Sequence, residues 1–225
     1  MKIAKIENFG RLFIESDWEM ARAQTIWTKE PETIAWIDSF NGEGLFWDIG
    51  ANIGLYSLYC AKKHENMIIR AFEPMKNNFI RLWQNILLND FINVTAYFTA
   101  FGFAVGTKNF SANDVVGSSG GIIGDGGYPI KVISGDYLSA ITLRVPNYIK
   151  IDTDNNEYDI LCGMTGILKD DRLKSVLVEV NKEDRHIKEM MEYAGLYVDE
   201  KAMAKKDRGS DHNVIFTRRD YAAIQ

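Results

Sequence analysis

The sequence predicts a single α/β domain in which a mainly parallel, doubly wound sheet of the Rossmann-like type carries helices on both faces. Its 225 residues, of which 46% are hydrophobic, are enough to bury one large core. Short runs typical of buried strands alternate with helical segments long enough to connect parallel strands. A glycine-containing turn follows the first of these runs. We therefore treat residues 1–225 as one domain.

Residues 1–44 are predicted to form an N-terminal helical segment that packs on the sheet. Apolar residues recur at helical spacing in WEMARAQTIW (residues 18–27) and in EPETIAWIDSF (residues 30–40). Pro31 lies where the first turn of a helix tolerates proline. Two helices should therefore precede the first strand.

Five strands and two connecting helices are predicted after this segment. The strands are apolar runs that suit burial on both faces, whereas the helices carry apolar residues on one face. The strand sequences are LFWDIG (45–50), MIIRAFEP (67–74), NVTAYFTAFG (93–102), YIKIDTD (148–154) and SVLVEVN (175–181). The helix sequences are GLYSLYCAKK (54–63) and NNFIRLWQNILLN (77–89). A final strand is expected near the C-terminus.

Residues 103–138 form a glycine-rich insertion between the third and fourth strands. Nine glycines lie between Gly102 and Gly135, both included, and this density disfavours a helix and predicts short strands, bulges and mobile turns. Loops near strand ends often carry specificity, so the insertion is a candidate substrate lid. A poorly ordered surface hairpin is the alternative.

Composition limits the function classes. A net charge of −5 argues against a protein that binds the phosphate backbone of nucleic acid. No apolar stretch approaches the ~20 residues of a membrane span. Cys60 and Cys162 lack the spacing of a metal site, so we expect free thiols in a reducing compartment and a cytoplasmic location. The sequence does not determine the oligomeric state.

The turn DIGANIG (residues 48–54) follows the first strand, at the sheet edge where α/β proteins bind ligands. Gly50 can adopt backbone angles that other residues resist, and Gly54 allows the next helix to pack closely. The N–H groups that begin this helix suit an anionic group. Glu73, nineteen residues after Gly54, can accept hydrogen bonds from both hydroxyls of a ribose. The turn and the acid together indicate a nucleoside ligand.

The details of the turn favour S-adenosylmethionine as this ligand. Asn52 stands where the dinucleotide motif needs a second glycine, which disfavours a pyrophosphate. The acid Asp48 suits an ammonium group better than a phosphate, and S-adenosylmethionine offers an amine, one carboxylate and a ribose. A nicotinamide-dependent oxidoreductase is the alternative.

Several blocks of the sequence resemble the FkbM-type methyltransferases, a family that uses S-adenosylmethionine. They are FWDIGANIGLYSL, AFEPMKNNFIRLWQN, YIKIDTDNNEYDILCG and VLVEVN, with a weaker match at HNVIF. The resemblance implies the class I methyltransferase fold and methyl transfer to an oxygen of a sugar, a glycan or another polyhydroxy small molecule. A cofactor-binding protein of this fold that has lost catalysis is the alternative.

The resemblance also implies a set of cofactor contacts. Glu73, followed by Pro74, would hold the ribose, and Met75 would pack against adenine. Thr99 and Ala100 would face the edge of the adenine. The methionine part would be lined by Asp48, Gly50, Asn52 and Gly54 and approached by Asp152.

The fourth-strand block departs from the usual family pattern, which is similar to IDVEGAE. This chain has Asp154 for a glutamate and Asn155 for a glycine, and asparagine is one of the few residues that tolerate a positive φ. Three acids within six residues require a nearby cation, which the sulfonium and amine of the cofactor would supply. Alternatively, Asp154 caps the next helix and Glu157 is its capping-box partner.

Four residues are candidates for the catalytic acid or base: Asp152, Asp154, Glu157 and His212. His212 is predicted to lie in a loop before the final strand, within reach of the site edge. A metal site built from Asp152, Glu179 and Asn181 is conceivable because hard cations prefer oxygen ligands. Spacing alone does not bring these groups together, so no metal is predicted.

Overall fold

The computed structural model describes residues 2–113, 115–181, 185–200 and 211–219. The strands are β1 (Lys2–Ile6), β2 (Gly10–Ile14), β3 (Gly44–Ile49), β4 (Met67–Phe72), β5 (Val94–Tyr97), β6 (Ala100–Phe101), β7 (Gly106–Ser111), β8 (Ile122–Ile123), β9 (Tyr128–Ile133), β10 (Tyr148–Ile151), β11 (Ser175–Asn181), β12 (Leu196–Val198) and β13 (Asp211–Arg218). The helices are α1 (Asp17–Thr25), α2 (Pro31–Asp38), α3 (Leu55–Lys63), α4 (Lys76–Leu88), α5 (Gly135–Thr142), α6 (Glu157–Cys162), α7 (Thr165–Lys169) and α8 (Arg185–Tyr193).

A seven-stranded sheet forms the centre of the domain, in the order β12-β13-β11-β10-β3-β4-β5. The five strands from β11 to β5 are parallel, and β13 is antiparallel to both of its neighbours. From β3 the chain runs outward to β5 and then returns to β10, so the strand order reverses between β3 and β10. The predicted α/β, doubly wound fold with a mainly parallel sheet is confirmed.

Each face of the sheet carries a buried apolar cluster because successive strand side chains point to opposite sides. On one face Phe46 and Tyr148 pack with residues of α2, α3 and α4. On the other face Trp47 and Ile149 pack with residues of α6, α7 and α8. Among the described residues, no helix has the length and hydropathy of a membrane span.

The N-terminal segment is not purely helical, because an antiparallel hairpin of β1 and β2 precedes the two predicted helices. Leu12 and Ile14 are buried, and the turn contains Asn8 and Gly10 with φ of 59° and 145°. Phe13 N–H donates to Asn85 Oδ1 of α4 at 3.0 Å, which ties the hairpin to the domain. The hairpin was missed because the alternation of apolar and polar residues at positions 10–14 is short. Helices α1 and α2 lie where the helical spacing of apolar residues predicted them.

The glycine-rich insertion contains the short strands that were predicted. Strands β6 to β9 form a second sheet in the order β6-β9-β7-β8, with Phe110, Ile130 and Val132 in its core. The predicted third strand is divided, since β5 ends at Tyr97 and β6 leaves the central sheet to pair with β9. The last residues of the insertion are helical, because α5 begins at Gly135.

His212 does not lie in a loop. It is part of β13, where it pairs with Val180 of β11. The alternating pattern of HNVIF already includes this histidine, so the final strand begins earlier in the sequence than predicted.

Candidate active site

A cavity of about 150 Å³ opens at the carboxyl ends of β3, β4, β10 and β11, next to the point where the strand order reverses. Three parts of the chain contribute most of its lining residues. The strand ends and following turns contribute Gly50, Asn52, Glu73, Pro74, Met75, Asp152, Thr153, Asp154 and Glu179; the N-terminal part contributes Arg22, Lys29 and Glu30; the insertion contributes Phe110, Ser119 and Gly121. The remaining lining residues are Ala51 and Ile53 of the turn after β3, Leu55 and Tyr56 of α3, and Lys150 of β10.

The turn after β3 requires glycine at two positions. Gly50 has φ +81°, and a Cβ there would lie 1.9 Å from the backbone oxygen of Asp152, so β3 and β10 approach each other closely. Gly54 has φ +95°, and a Cβ there would lie 2.4 Å from Leu82 Cδ1 of α4. Asn52 adopts φ +51°, a conformation that asparagine tolerates. Gly50 and Asn52 line the cavity, whereas Gly54 serves the packing of α3 against α4.

Glu73 is buried behind this turn and holds it in place. Its Oε2 accepts from Asn52 N–H and its Oε1 accepts from Met75 N–H, both at 2.7 Å. Burial raises the pKa of Glu73 to about 7. Each carboxylate oxygen retains acceptor capacity, and the side chain lines the cavity.

Asp48 lies below the cavity and is fully buried. Its Oδ2 accepts from Ser57 Oγ at 2.6 Å, and it pairs across the sheet with Lys150. Burial raises the pKa of Asp48, and the charge of Lys150 opposes this rise. Asp48 therefore supports the floor of the site and does not reach its surface.

A second, mainly apolar cavity adjoins the first and shares Gly50, Pro74, Phe110 and Thr153 with it. Its other lining residues are Ile49, Phe72, Thr99, Ala100, Phe101, Ile123, Asn156 and Ile160. The hydroxyl of Thr99 donates to the backbone oxygen of Lys131 at 2.7 Å. The shape and apolar lining of this cavity suit a flat apolar group of a ligand whose polar part lies in the first cavity.

Lys150 lines the cavity and was not singled out in the sequence analysis. It lies in β10, its side chain is only 1% exposed, and its Nζ is 2.7 Å from Asp152 Oδ2. Burial alone would lower the pKa of this ammonium group, but the charges of Asp152, Asp48 and Glu30 raise it. The protein itself therefore supplies the cation that the acids at the end of β10 require. A lysine inside the apolar run YIKI was the available signal.

Asp154 and Glu157 do not form the predicted capping box. The N-cap of α6 is Asn156, and Asp154 Oδ2 instead accepts from Gly120 N–H of the insertion at 2.8 Å. Glu157 Oε1 accepts from Thr153 N–H at 2.8 Å, and burial raises the pKa of Glu157. Asn155 has φ +77°, as expected for the residue that replaces glycine.

Of the four candidate catalytic residues, Asp152 and Asp154 line the cavity. Glu157 is buried behind Thr153, and His212 lies on β13 outside the cavity lining. The described residues contain no cluster of three or more His, Cys, Asp or Glu side chains placed to hold a metal ion. The side chain of Asn181 lies outside what the structure describes.

The N-terminal part forms a charged wall that the sequence reasoning did not connect with the site. Glu30 Oε2 accepts from the Tyr56 hydroxyl at 2.8 Å and from Asn213 Nδ2 at 3.1 Å. Burial would raise the pKa of Glu30, but the charges of Lys150 and Lys29 lower it to about 2. Arg22 and Lys29 complete the wall, so both signs of charge face the cavity.

Residues 115–121 of the insertion form a loop over the turn after β3, which we call the covering loop. Asn52 Nδ2 and Asn78 Nδ2 both donate to the backbone oxygen of Ser118, at 2.7 and 3.1 Å. Gly117 N–H donates to Asn78 Oδ1 at 2.7 Å, and Arg22 Nε donates to Gly117 O at 2.5 Å. Side chains from α1, α4, the turn and the end of β10 therefore hold the loop.

Comparison with known proteins identifies the family to which this chain belongs. The family model described as "Methyltransferase FkbM domain" matches residues 48–201. A hexuronic acid methyltransferase from Haloferax volcanii is 26% identical over 184 residues, which cover 80% of this chain and 74% of that protein. The sequence blocks that carry the resemblance, apart from HNVIF, lie almost entirely within the matched range.

Two solved methyltransferase structures share the fold. Magnesium protoporphyrin IX methyltransferase from Synechocystis PCC 6803, with bound S-adenosylmethionine, gives a TM-score of 0.54 at 10% identity and covers 94% of this chain and 88% of that one. A precorrin-6y C5,15-methyltransferase from Geobacter metallireducens gives 0.50 at 14% identity and covers 84% and 86%. The class I methyltransferase fold is thus shared at low identity, and the domain match is specific: the chain belongs to the FkbM methyltransferase family, whose cofactor is S-adenosylmethionine.

Proposed function

We propose that this methyltransferase transfers its methyl group to a hydroxyl oxygen of a sugar or a closely related polyhydroxy acceptor. The observation that carries the proposal is the position of Asp152, which lies at the end of β10 inside the cavity and faces a wall of hydrogen-bonding and charged groups. A polyhydroxy ligand needs many polar partners, and this wall offers them. The similarity to a hexuronic acid methyltransferase supports a sugar acceptor.

The residues around the two cavities fit the cofactor of the family. Glu73 can accept hydrogen bonds from ribose hydroxyls, and the apolar cavity beside Pro74, Ala100 and Phe101 suits adenine. The polar cavity, with Gly50 and Asn52, suits the amino-acid end. When bound, S-adenosylmethionine supplies a methyl carbon to which the acceptor oxygen bonds as the carbon–sulfur bond breaks and leaves its electron pair on sulfur.

The protein residues have three tasks in this reaction. The N-terminal wall binds the acceptor and fixes its orientation, since a methyl transfer needs the reacting atoms about 3–3.5 Å apart. The covering loop keeps bulk water away from the site. Asp152 receives the proton of the acceptor hydroxyl, a contribution of about 10²–10⁴-fold to the rate.

The proposal is tested with S-adenosylmethionine carrying a labelled methyl group and a panel of neutral sugars, hexuronic acids and their glycosides. We expect label in an ether linkage to a sugar oxygen, identified by NMR of the product. Asp152→Asn should reduce turnover at least about a hundredfold while the midpoint of thermal unfolding stays close to wild type, because the amide is isosteric. Glu192→Gln, an exposed change on α8, is the matched control. A protein that binds the cofactor but methylates no member of the panel contradicts the sugar acceptor.

A further inference from the structure

The end of β10 and the end of β11 bring two carboxyl groups into contact. Ile151 pairs with Val178 in the parallel register, so Asp152 and Glu179 come next on the two strands and point to the same face. The Glu179 carboxyl lies beside Asp152, whose charge and hydrogen-bonding capacity raise the pKa of Glu179. Both side chains line the cavity.

Two carboxyl groups in hydrogen-bond contact share one proton, because a carboxylate pair without a donor repels itself. Burial and the charge of Asp152 raise the pKa of Glu179 to about 8, and the charge of Lys150 opposes this rise. Lys150 also contacts Asp152 directly, at 2.7 Å. Glu179 therefore carries a proton at neutral pH.

From this contact, which rests on the proposed hydroxyl acceptor, we propose that Asp152 and Glu179 act together as the general base, and that Lys150 is the positioning residue that stabilises their doubly ionised form. The proton leaves the acceptor hydroxyl and binds the doubly ionised pair, which returns to its one-proton form. The electrons of the broken O–H bond stay on the acceptor oxygen and form its bond to the methyl carbon.

A pair of carboxyl groups can be a stronger base at neutral pH than a single aspartate. An isolated aspartate has a pKa near 3.9 and is a weak base at neutral pH, whereas a catalytic base works best with a pKa near the operating pH. The second ionisation of the pair, near pH 8, meets this requirement. Lys150 keeps this ionisation accessible, since without its charge the second carboxyl would hold its proton to higher pH.

Several other charged or titratable groups face this cluster from the surrounding elements. They are Asp48 of β3, Glu30 before α2, Tyr56 of α3 and Glu157 of α6. Tyr56 and Glu30 are joined by a hydrogen bond at 2.8 Å, and the Lys150 ammonium lies 5.0 Å from the centre of the Tyr56 ring. The charge of Glu157 adds to that of Asp152 in raising the pKa of Glu179, and the positive charge of Lys150 opposes both.

A direct test is carbon NMR of the full chain labelled at its aspartate and glutamate carboxyl groups, without acceptor, with Glu179→Gln used for assignment. We expect Glu179 to titrate with a midpoint near pH 8. The midpoint should fall in Asp152→Asn and rise in Lys150→Met. Lys63→Met, an exposed change on α3, should leave it unchanged. A Glu179 midpoint within about one unit of pH 4.3, the value for a free glutamate, overturns the proposal.

The catalytic consequence is read from the pH dependence of kcat. Wild-type kcat should rise with pH to a plateau above the midpoint found by NMR. Glu179→Gln should lower kcat about a hundredfold or more and remove this ionisation from the profile, with little change in KM. Glu192→Gln should keep the wild-type profile. An unchanged profile in folded Glu179→Gln overturns the proposal.

Two outcomes separate this inference from the proposed function. If Lys150→Met does not fold, Lys150→Arg retains the charge and should keep the Glu179 midpoint near that of the wild type; a midpoint in that variant near the free-glutamate value contradicts the role of Lys150. If no sugar is methylated, the hydroxyl acceptor is wrong and the base role falls with it, whereas the NMR titration still decides whether the carboxyl pair exists.

Discussion

Glu73 holds the turn after β3 and lines the cavity, so we expect its buried carboxyl to make cofactor binding depend on pH. Glu73→Ala should weaken the binding of S-adenosylhomocysteine at least about tenfold, because hydrogen bonds to a charged acceptor contribute roughly 1.5–3 kcal/mol each. In the wild type, affinity should fall as pH drops below about 7, where the carboxyl becomes protonated. Glu73→Gln should remove this pH dependence, and Glu192→Gln should retain it. Calorimetry at several pH values measures both effects; equal affinity in folded Glu73→Ala contradicts the ribose assignment.

The backbone conformation at residue 50 and the nearby backbone of Asp152 both require glycine. Gly50→Ala should lower the free energy of unfolding by more than about 2 kcal/mol, because φ +81° is unfavourable for alanine and its Cβ would meet the Asp152 backbone oxygen. Gly106→Ala is the control, since nothing lies within 4 Å of a Cβ there, and it should change stability by less than about 0.5 kcal/mol. Urea denaturation distinguishes the two. Equal stability of the two variants would show that the turn can relax.

At the level of single residues, the sequence predicts what depends on local spacing. Gly50, Asn52 and Glu73 were identified because a strand, a turn and a second strand end place them together. Lys150 was not singled out, and Glu179 was considered only as a possible metal ligand, because the placement of both beside Asp152 depends on the register between two strands, which spacing along the chain does not fix. Asp154 was considered as a catalytic residue or a helix cap, and its contact with Gly120 was not predicted because the two residues are 34 positions apart.

At the level of elements, the covering loop is held firmly despite its glycines. The N–H of Gly117 should exchange slowly with solvent even without a ligand, because it donates to the buried Asn78 side chain. This differs from the mobile segment that the glycine content predicted. Asn78→Ala should speed exchange at Gly117 by removing this acceptor, whereas Thr142→Ala in α5 should not. Hydrogen exchange by NMR reads out both; rapid exchange in the wild type would support the mobile-lid expectation instead.

The elements of the central sheet were predictable, and the N-terminal hairpin was not. Strongly apolar strands such as β3 and β11 bury both faces, so their sequences identify them without knowledge of their neighbours. Strands β1 and β2 are only partly buried and gain stability from α4, through Phe13 with Asn85 and Arg11 with Asn89. Such contacts join residues more than 70 positions apart, so local pattern carries little information about them.

For the whole molecule, two raised pKa values predict how stability changes with pH. Folded Glu73 and Glu179 keep their protons up to about pH 7 and 8, whereas the unfolded chain releases them near 4.5. The free energy of unfolding should therefore fall as pH rises from about 4.5 to 8, by about 3 kcal/mol for Glu73. Glu30, with a pKa lowered to about 2, acts in the opposite sense below pH 4.5.

Urea denaturation at pH 5, 6.5 and 8 measures this dependence. Glu73→Gln should give a flatter curve than the wild type, because glutamine does not titrate, and Glu192→Gln should follow the wild type. Parallel curves for the wild type and Glu73→Gln would mean that Glu73 titrates in its ordinary range.

The predicted cytoplasmic location and the predicted absence of nucleic-acid binding stay predictions.

The hydrogen bond between Asn213 and Glu30 has a consequence for how the protein is made. It joins residues 183 positions apart, at the two ends of the chain, and it closes one wall of the cavity. During synthesis, the N-terminal segment leaves the ribosome long before β13 exists to receive it. Contacts of such high sequence separation form slowly, since a long loop must close before they contribute any stability. We therefore expect the part of the cavity wall that contains Glu30 to be completed only after β13 has been synthesised.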